Sequence, residues 1–403
     1  MKIETQRKID RMAGTWICRI LSFLPVKTPP KLFRPSRILV ILLSEMGSLV
    51  LARPMLDFIK KKYPSSSVYG LCFEKNREFL EILDVVPPSK ILTIRADSFS
   101  LLFIDTLRVF MRMRREKIDT VLDCELFSRI SSIYSFLSGA EVRVGFHPHT
   151  QEGLYRGSYI NRPVLYNPHH HISHQFINLV EAIESDCAPK VKRAIPHHDC
   201  EIPGIRIAEK TKEEFLKKFQ KNYPHVIKRK LVLLYPSGGL LPIREWPLQN
   251  YCAVAEDLLK RGYAVAVIGM KSDHGLAEEI QSHCRSENCI DLTGYTGTVF
   301  ELMVLFHVAS LLISNDGGPG HFASMTPIPS IILYGPESPS LYGTLGRRSV
   351  KLHTPFSCSP CLTAYNHRHS PCDGDNRCLK SITPEVVLDK AYYLIEGQEK
   401  SIS

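Results

Sequence analysis

Residues 311–339 read LLISNDGGPGHFASMTPIPSIILYGPESP, and their pattern decides the fold. An apolar run leads into Asn315-Asp316, then Gly317, Gly318, Pro319 and Gly320 follow. A helical pattern begins at once near His321, and a second apolar strand, PSIILYG (329–335), comes next. Strand, tight turn, helix and strand make the βαβ unit of an open α/β sheet. Glycines let backbone N–H groups approach an oxyanion, and a helix start adds on the order of half a positive charge. The turn therefore suits a diphosphate, with Asp316 and His321 placed to touch it. A tight turn needing only positive φ would carry similar letters, so the surroundings must decide.

Outward from that stretch the alternation continues. RILVILL (37–43), SVYGLCF (67–73), SKILTIR (89–95), DTVLDCEL (119–126) and AEVRVGF (140–146) read as strands. Helical patterns at 50–62, 77–83, 100–117 and 128–138 separate them. Between 147 and 205 the pattern loosens, with one helix at 172–183. It resumes with helices at 211–221, 248–261, 274–284 and 299–308, set between KLVLLYP (230–236), YAVAVIG (263–269), CIDLTG and LLISND. The reading is an α/β chain of two parallel-sheet units, 37–205 and 206–357, facing a cleft. An N-terminal amphipathic helix and linker (1–36) precede them, and a Cys-rich loop with a C-terminal helix (358–403) follows. Ligands of such sheets lie at the strands' carboxyl ends.

The bulk numbers bound this. With 403 residues, 44% hydrophobic and 23% charged, the chain has enough apolar residues for two cores, which excludes global disorder. A net charge of +10 favours phosphorylated ligands, anionic lipid or nucleic acid, and charge alone does not choose. No apolar run reaches the ~18 residues of a spanning helix, and charges with Gly14 break any signal-peptide plan. Twelve cysteines in a chain this long point to a reducing, cytoplasmic setting. Near the N-terminus, Ile9, Met12, Ala13, Trp16, Ile17, Ile20, Leu21 and Leu24 share one helical face, with Arg7, Lys8, Arg11 and Arg19 mostly elsewhere. Two readings stand: a helix lying on an anionic membrane surface, or a helix packed on its own domain.

The 311–339 segment resembles glycosyltransferase family 9, the heptosyltransferases. Their signature runs S-x-D-[ST]-G-x-x-H-x-A, then a Pro turn, a strand and [FY]GP. Here it reads Ser314, Asp316, Gly317-Gly318, His321, Ala323, Pro329 and Tyr334-Gly335-Pro336, with Gly317 where the family has Ser or Thr. LLYPSGGLLPIREWP (233–247) resembles the family's second donor loop, P-[GT]-[AST]-x(4,6)-[KR]-x-W-P. The resemblance implies Ser237 and Gly238 beside donor phosphates and Arg244 as the phosphate-binding cation. A guanidinium there would offset charge growing on a leaving diphosphate. IGMKSDHGLAEEI resembles the turn whose acid binds ribose hydroxyls, which makes Asp273 the candidate. The implied architecture is two Rossmann-like domains of the GT-B type.

The family's first loop reads S-x-x-G-D, and its Asp is taken to deprotonate the acceptor. Here the loop is Ser44-Glu45-Met46-Gly47-Ser48, so a serine holds the acid's place. Glu45, three residues earlier on the same strand-end turn, becomes the candidate base, with Asp123 and Glu125 as fallback acids. An ordinary loop carboxylate is the competing reading for Glu45. On the acceptor side stand Ser44, Gly47, Ser48 and, from the run His169-His170-His171 with His174, His171; a helix start is its alternative role.

Cys358, Cys361, Cys372 and Cys378 fall within 21 residues. A structural zinc site, a disulfide or reduced thiols all fit that spacing. Asp373-Gly374-Asp375 between them reads as a turn. No cofactor is expected for catalysis. The functional expectation is an inverting, metal-independent transferase that moves heptose from ADP-heptose to a lipopolysaccharide core or related anionic glycolipid at the inner-membrane surface. Nucleic acid is not an expected partner. A nucleotide-sugar epimerase or a non-catalytic binding descendant are the rivals.

Overall fold

A computed structural model describes residues 3–26, 28–30, 33–43, 46–126, 128–146, 155–187, 189–196, 200–363 and 369–397. Two compact units divide after Glu201: Met1–Glu201, and Ile202–Thr363 with His369–Ser403. The four segments expected from the sequence thus group into two.

In the first unit, α1 (Ile3–Ile9) passes through a π-helical turn (Asp10–Gly14) into α2 (Thr15–Ser22). Then come β1 (Arg37–Ile41), α3 (Met46–Lys62), β2 (Ser67–Phe73), α4 (Arg77–Ile82), β3 (Ile91–Ile94) and α5 (Phe99–Arg115). β4 (Thr120–Asp123), α6 (Arg129–Leu137), β5 (Val142–Phe146), β6 (Arg162–Val164) and α7 (Ile172–Glu181) complete it. All pairings are parallel, in the order β3-β2-β1-β4-β5-β6. The strands are continuous Ile/Leu/Val runs because helices cover both faces. In β1, Ile38 and Leu39 are fully buried.

The second unit begins with α8 (Glu209–Asn222) and β7 (Leu231–Tyr235), then α9 (Leu248–Lys260), β8 (Ala264–Gly269), α10 (His274–Cys284) and β9 (Cys289–Thr293). α11 (Val299–Val308), β10 (Leu311–Asn315), α12 (Gly318–Ala323), β11 (Ser330–Tyr334), α13 (Pro339–Tyr342) and β12 (Ser349–His353) follow. α14 (Arg377–Lys380) and α15 (Pro384–Glu396) close the chain's described part. The sheet order is β12-β11-β10-β7-β8-β9. Leu379, Ile382, Val387, Ala391 and Ile395 enter the same core as Val232 and Trp246, so the C-terminal helix belongs to this unit.

Two strands escape the sequence reading, β6 (RPV) and β12 (SVKLH). Both lie at sheet edges, where only one neighbour demands a ladder and the apolar signal is weak. The N-terminal helix shows one of the two arrangements expected of it. It packs on its own unit, yet through Gly14 and Cys18, while Met12, Trp16, Ile17, Ile20 and Leu24 stay exposed. A Cβ on Gly14 would lie 3.0 Å from Arg129 Cβ, so a larger residue would crowd this approach to α6. Asp10 fixes it, accepting hydrogen bonds at 2.9 Å from the N–H groups of Arg129 and Ile130 at the α6 N-terminus.

Candidate active site

In the C-terminal unit, β7 leads outward to β8 and β9, and β10 then returns to the other side of β7. The strand order reverses there, so the loops after β7 and β10 part and open a crevice at their carboxyl ends. Ser237, Gly238 and Arg244 lie in the first loop; Asp316, Gly317, Gly318 and His321 follow the second strand.

Asn315, the last residue of β10 and fully buried, joins the two loops. Its Oδ1 accepts from Trp246 N–H at 3.1 Å and from the Tyr251 hydroxyl at 3.0 Å. Its Nδ2 donates to the Pro236 carbonyl at 2.6 Å. Trp246, itself buried, donates Nε1–H to the Ile382 carbonyl at 2.8 Å, so the C-terminal segment backs the loop. The sequence motif quotes Asn315 but gives no reason to assign it; the role depends on segments 69 residues apart meeting.

Arg244 corrects a simpler expectation. Its Nη2 donates to Glu337 Oε2, and its Nε lies 3.6 Å from Asp316 Oδ2. Both carboxylates are buried, so one cation stands between two anions. Much of the guanidinium charge is offset within the protein. A guanidinium has five N–H donors, so the carboxylates orient the fork and leave donors to meet a ligand. Arg244 Nε and Asp316 Oδ2 have no hydrogen-bond partner although both are buried. Glu337 was not foreseen, because GPESP carries no signal for it beyond turn letters.

Ser237 and Asp273 meet: Ser237 Oγ donates to Asp273 Oδ1 at 3.1 Å, and Asp273 Oδ2 accepts from Met270 N–H at 2.8 Å. Asp273 thus closes its own turn, and each carboxylate oxygen keeps a further acceptor site for a hydroxyl. A Cβ on Gly238 would sit 2.7 Å from the Leu241 carbonyl, which explains that glycine. Gly317 needs no such freedom. Its φ of 175° is ordinary extended backbone, and a Cβ there would find its nearest neighbour, Tyr235 Cε1, at 3.7 Å. The positive-φ reading of this turn is therefore wrong. His321 is buried within α12.

In the N-terminal unit the order reverses between β1 and β4. Ser44 and Glu45 lie outside the described residues, while Gly47 and Ser48 fall in the first turn of α3. The strand end leading to them is clamped. Glu125 Oε1 accepts Leu43 N–H at 2.7 Å, and Asn76 Nδ2 donates to Leu43 C=O at 2.7 Å. Glu125 is thereby committed to structure. Asp123 is fully buried against Arg156, with Ser131 Oγ donating at 3.2 Å. Both fallback acids are thus engaged by groups of the protein itself, and burial raises the Asp123 pKa above the ordinary carboxylate value. His171 is the N-cap of α7: its Nδ1 accepts Ser173 N–H at 3.3 Å and lies 2.7 Å from Ser173 Oγ. That is the helix-start role.

The four cysteines differ in setting. Cys358 and Cys372 are exposed, Cys378 is buried, and Cys361 Sγ lies 3.1 Å from Ser370 Oγ. Among the described residues no group of three His, Cys, Asp or Glu could hold a metal ion. Asp373 Oδ1 accepts Asp375 N–H at 2.9 Å, the expected turn.

Two six-stranded parallel sheets, the second with a glycine turn at its switch point, define a GT-B type glycosyltransferase fold. The family profile of glycosyltransferase family 9 (heptosyltransferase) matches residues 106–370, and the chain belongs to that family. Lipooligosaccharide heptosyltransferase 2 of Haemophilus influenzae is 29% identical over 219 residues, 53% of this chain and 60% of that one. Its Haemophilus ducreyi counterpart is 24% identical over 78% of this chain and 87% of its own. The matched segment covers 48% to 60% of several other relatives and the first of these. The structure of E. coli ADP-heptose lipopolysaccharide heptosyltransferase II superposes with a TM-score of 0.71 at 20% identity, over 90% of this chain and 99% of that one.

Proposed function

We propose that the protein transfers heptose from ADP-heptose to a lipopolysaccharide core or related glycolipid acceptor at the cytoplasmic face of a membrane, with inversion and without a metal. Family membership supports the transferase class, and the name of the E. coli relative supplies the donor. The observation that carries the reading is the Asn315 bridge, which makes one site of the Ser237–Arg244 loop and the Asp316–Gly320 turn.

In the proposed reaction an acceptor hydroxyl attacks the anomeric carbon from the face opposite the diphosphate. The carbon–oxygen bond to phosphate breaks, and its electron pair leaves with ADP. Arg244 and the N–H groups of Gly318 and Gly320 would meet the charge that develops on the leaving oxygens. Glu45 would take the acceptor proton; a positioned base is worth about 10²–10⁴ in rate.

Calorimetric titration with ADP, UDP, GDP and CMP, without metal, tests the donor. ADP binding at least tenfold tighter than the others is expected, followed by transfer from ADP-heptose that survives EDTA and gives the inverted anomer. No binding by any of the four would overturn the reading. Turnover unchanged in Glu45→Gln would remove Glu45 as base.

A further inference from the structure

We infer that the N-terminal unit carries one membrane-docking surface made of two separate helices, α2 and α5, that seats on an anionic phospholipid bilayer. This deepens the membrane-held acceptor proposed above and rests on it. Among the described residues no helix is long and apolar enough to cross a membrane.

The first element is the N-terminal helix. Trp16 is 65% exposed, Ile20 62% and Phe23 90%, although Gly14 and Cys18 on the other side are buried. Large apolar groups on the solvent side of a helix already docked by its small-residue side contribute nothing to folding. The second element is α5. Phe99, Phe103, Leu107 and Met111 recur every four residues along one exposed face, with Phe103 at 61% and Met111 at 62%. The opposite face, Asp105, Val109 and Met113, is buried on the sheet.

Both elements lie on the same side of that sheet. Val109 and Met113 of α5 share a core with Tyr134 of α6. The Thr106 and Tyr134 hydroxyls meet at 2.8 Å, and Arg114 Nε donates to Leu137 C=O at 3.0 Å. On its other flank α6 receives the N-terminal helix through Asp10 and through a small core in which Cys18 and Tyr159 pack with Ile133 and Phe136 of α6. The order is therefore α2, α6, α5, and the two apolar faces flank one buried helix.

Charge selects the occupant. Exposed Arg7, Lys8, Arg11 and Arg19 border the first face, and Arg108, Arg114 and Arg115 the second. Asp10 turns inward onto α6, and Asp105 is buried between Arg95 and Arg108, whose Nη1 donates to it at 2.7 Å. An apolar stripe edged with arginines repels a second copy of itself and matches acyl chains beneath anionic headgroups.

The chain has two tryptophans, and Trp246 is buried, so Trp16 reports on the surface. Full-length protein is mixed with phosphatidylethanolamine/phosphatidylglycerol vesicles or with phosphatidylcholine vesicles, without nucleotide. A blue shift of Trp16 emission is expected with the first, with partitioning at least tenfold above the second. Ile20→Ser with Phe23→Ser, and separately Phe103→Ser with Met111→Ser, should each lower partitioning tenfold or more while melting and ADP binding stay as in wild type. No shift, a loss in only one of the two variants, or a dimer by light scattering that buries Trp16 without vesicle binding would overturn the inference. Vesicle binding is read without nucleotide and ADP binding without vesicles, so failure of one is distinguishable from failure of the other.

Discussion

Arg244 Nε and Asp316 Oδ2 face each other at 3.6 Å in the C-terminal unit, both buried and neither hydrogen-bonded. The gap is just too long for a bond, and Glu337 holds the other side of the guanidinium. An arginine so oriented keeps its plane fixed and its remaining donors aimed. Lysine offers a point charge without that fork. Arg244→Lys is expected to lower kcat/KM by about 10²–10³, the cost of losing one preorganised donor to an oxyanion, with little change in melting temperature. Steady-state kinetics with ADP-heptose and a thermal melt check it; an unchanged kcat/KM would place Arg244 outside the transition state.

Asn315 serves loop geometry rather than chemistry. Asn315→Asp replaces the Nδ2 donor to Pro236 C=O with an acceptor and buries a charge. A loss of about 2–3 kcal/mol in stability is expected, with a higher KM for the donor. Urea unfolding and donor titration would show both together. A stable variant with normal donor affinity would mean that the two loops hold without the bridge.

Gly317 is where the family has a hydroxyl and this chain has none. The space around it admits a Cβ, with Tyr235 Cε1 at 3.7 Å, and the backbone is ordinary. Gly317→Ser should therefore fold normally and bind ADP a few-fold more tightly, since a net hydrogen bond is worth about 0.5–1.5 kcal/mol. Calorimetry decides it, and weaker binding would show that the turn has adapted to glycine.

Asp105 anchors α5 through Arg95, whose Nε and Nη2 donate to it at 2.8 and 2.9 Å. The Arg95 hydrogen bonds hold its pKa at about 2, down from an ordinary 3.8. A carboxylate lowered in the folded state stabilises above the unfolded pKa and loses that contribution as pH falls through the folded one. The stability gap between wild type and Asp105→Asn should be constant above pH ~5 and shrink between pH ~4 and ~2. Denaturant unfolding at several pH values measures it. A gap independent of pH would assign the effect to packing alone.

Much of the molecule was legible in its letters. β2 (Ser67–Phe73), α10 (His274–Cys284) and α11 (Val299–Val308) begin and end where the apolar periodicity does. The strand, glycine turn and helix of 311–323 were legible likewise, because such signals are local and repeat every two or 3.6 residues, and the Trp-Pro loop was legible through its family resemblance.

What only the tertiary structure decided are pairings between distant elements. Glu337 reaches Arg244 across 93 residues, and Asn315 reaches Trp246 across 69. Asp10 caps a helix 119 residues away, which turned the apolar face of the N-terminal segment outward. Glu125, an acid at a strand end, became a backbone clamp on Leu43 once β1 and β4 lay side by side. Periodicity states which residues a strand or helix buries, but not which strands are neighbours. The partners of buried charges follow from strand order, and that order exists only when the whole sheet closes.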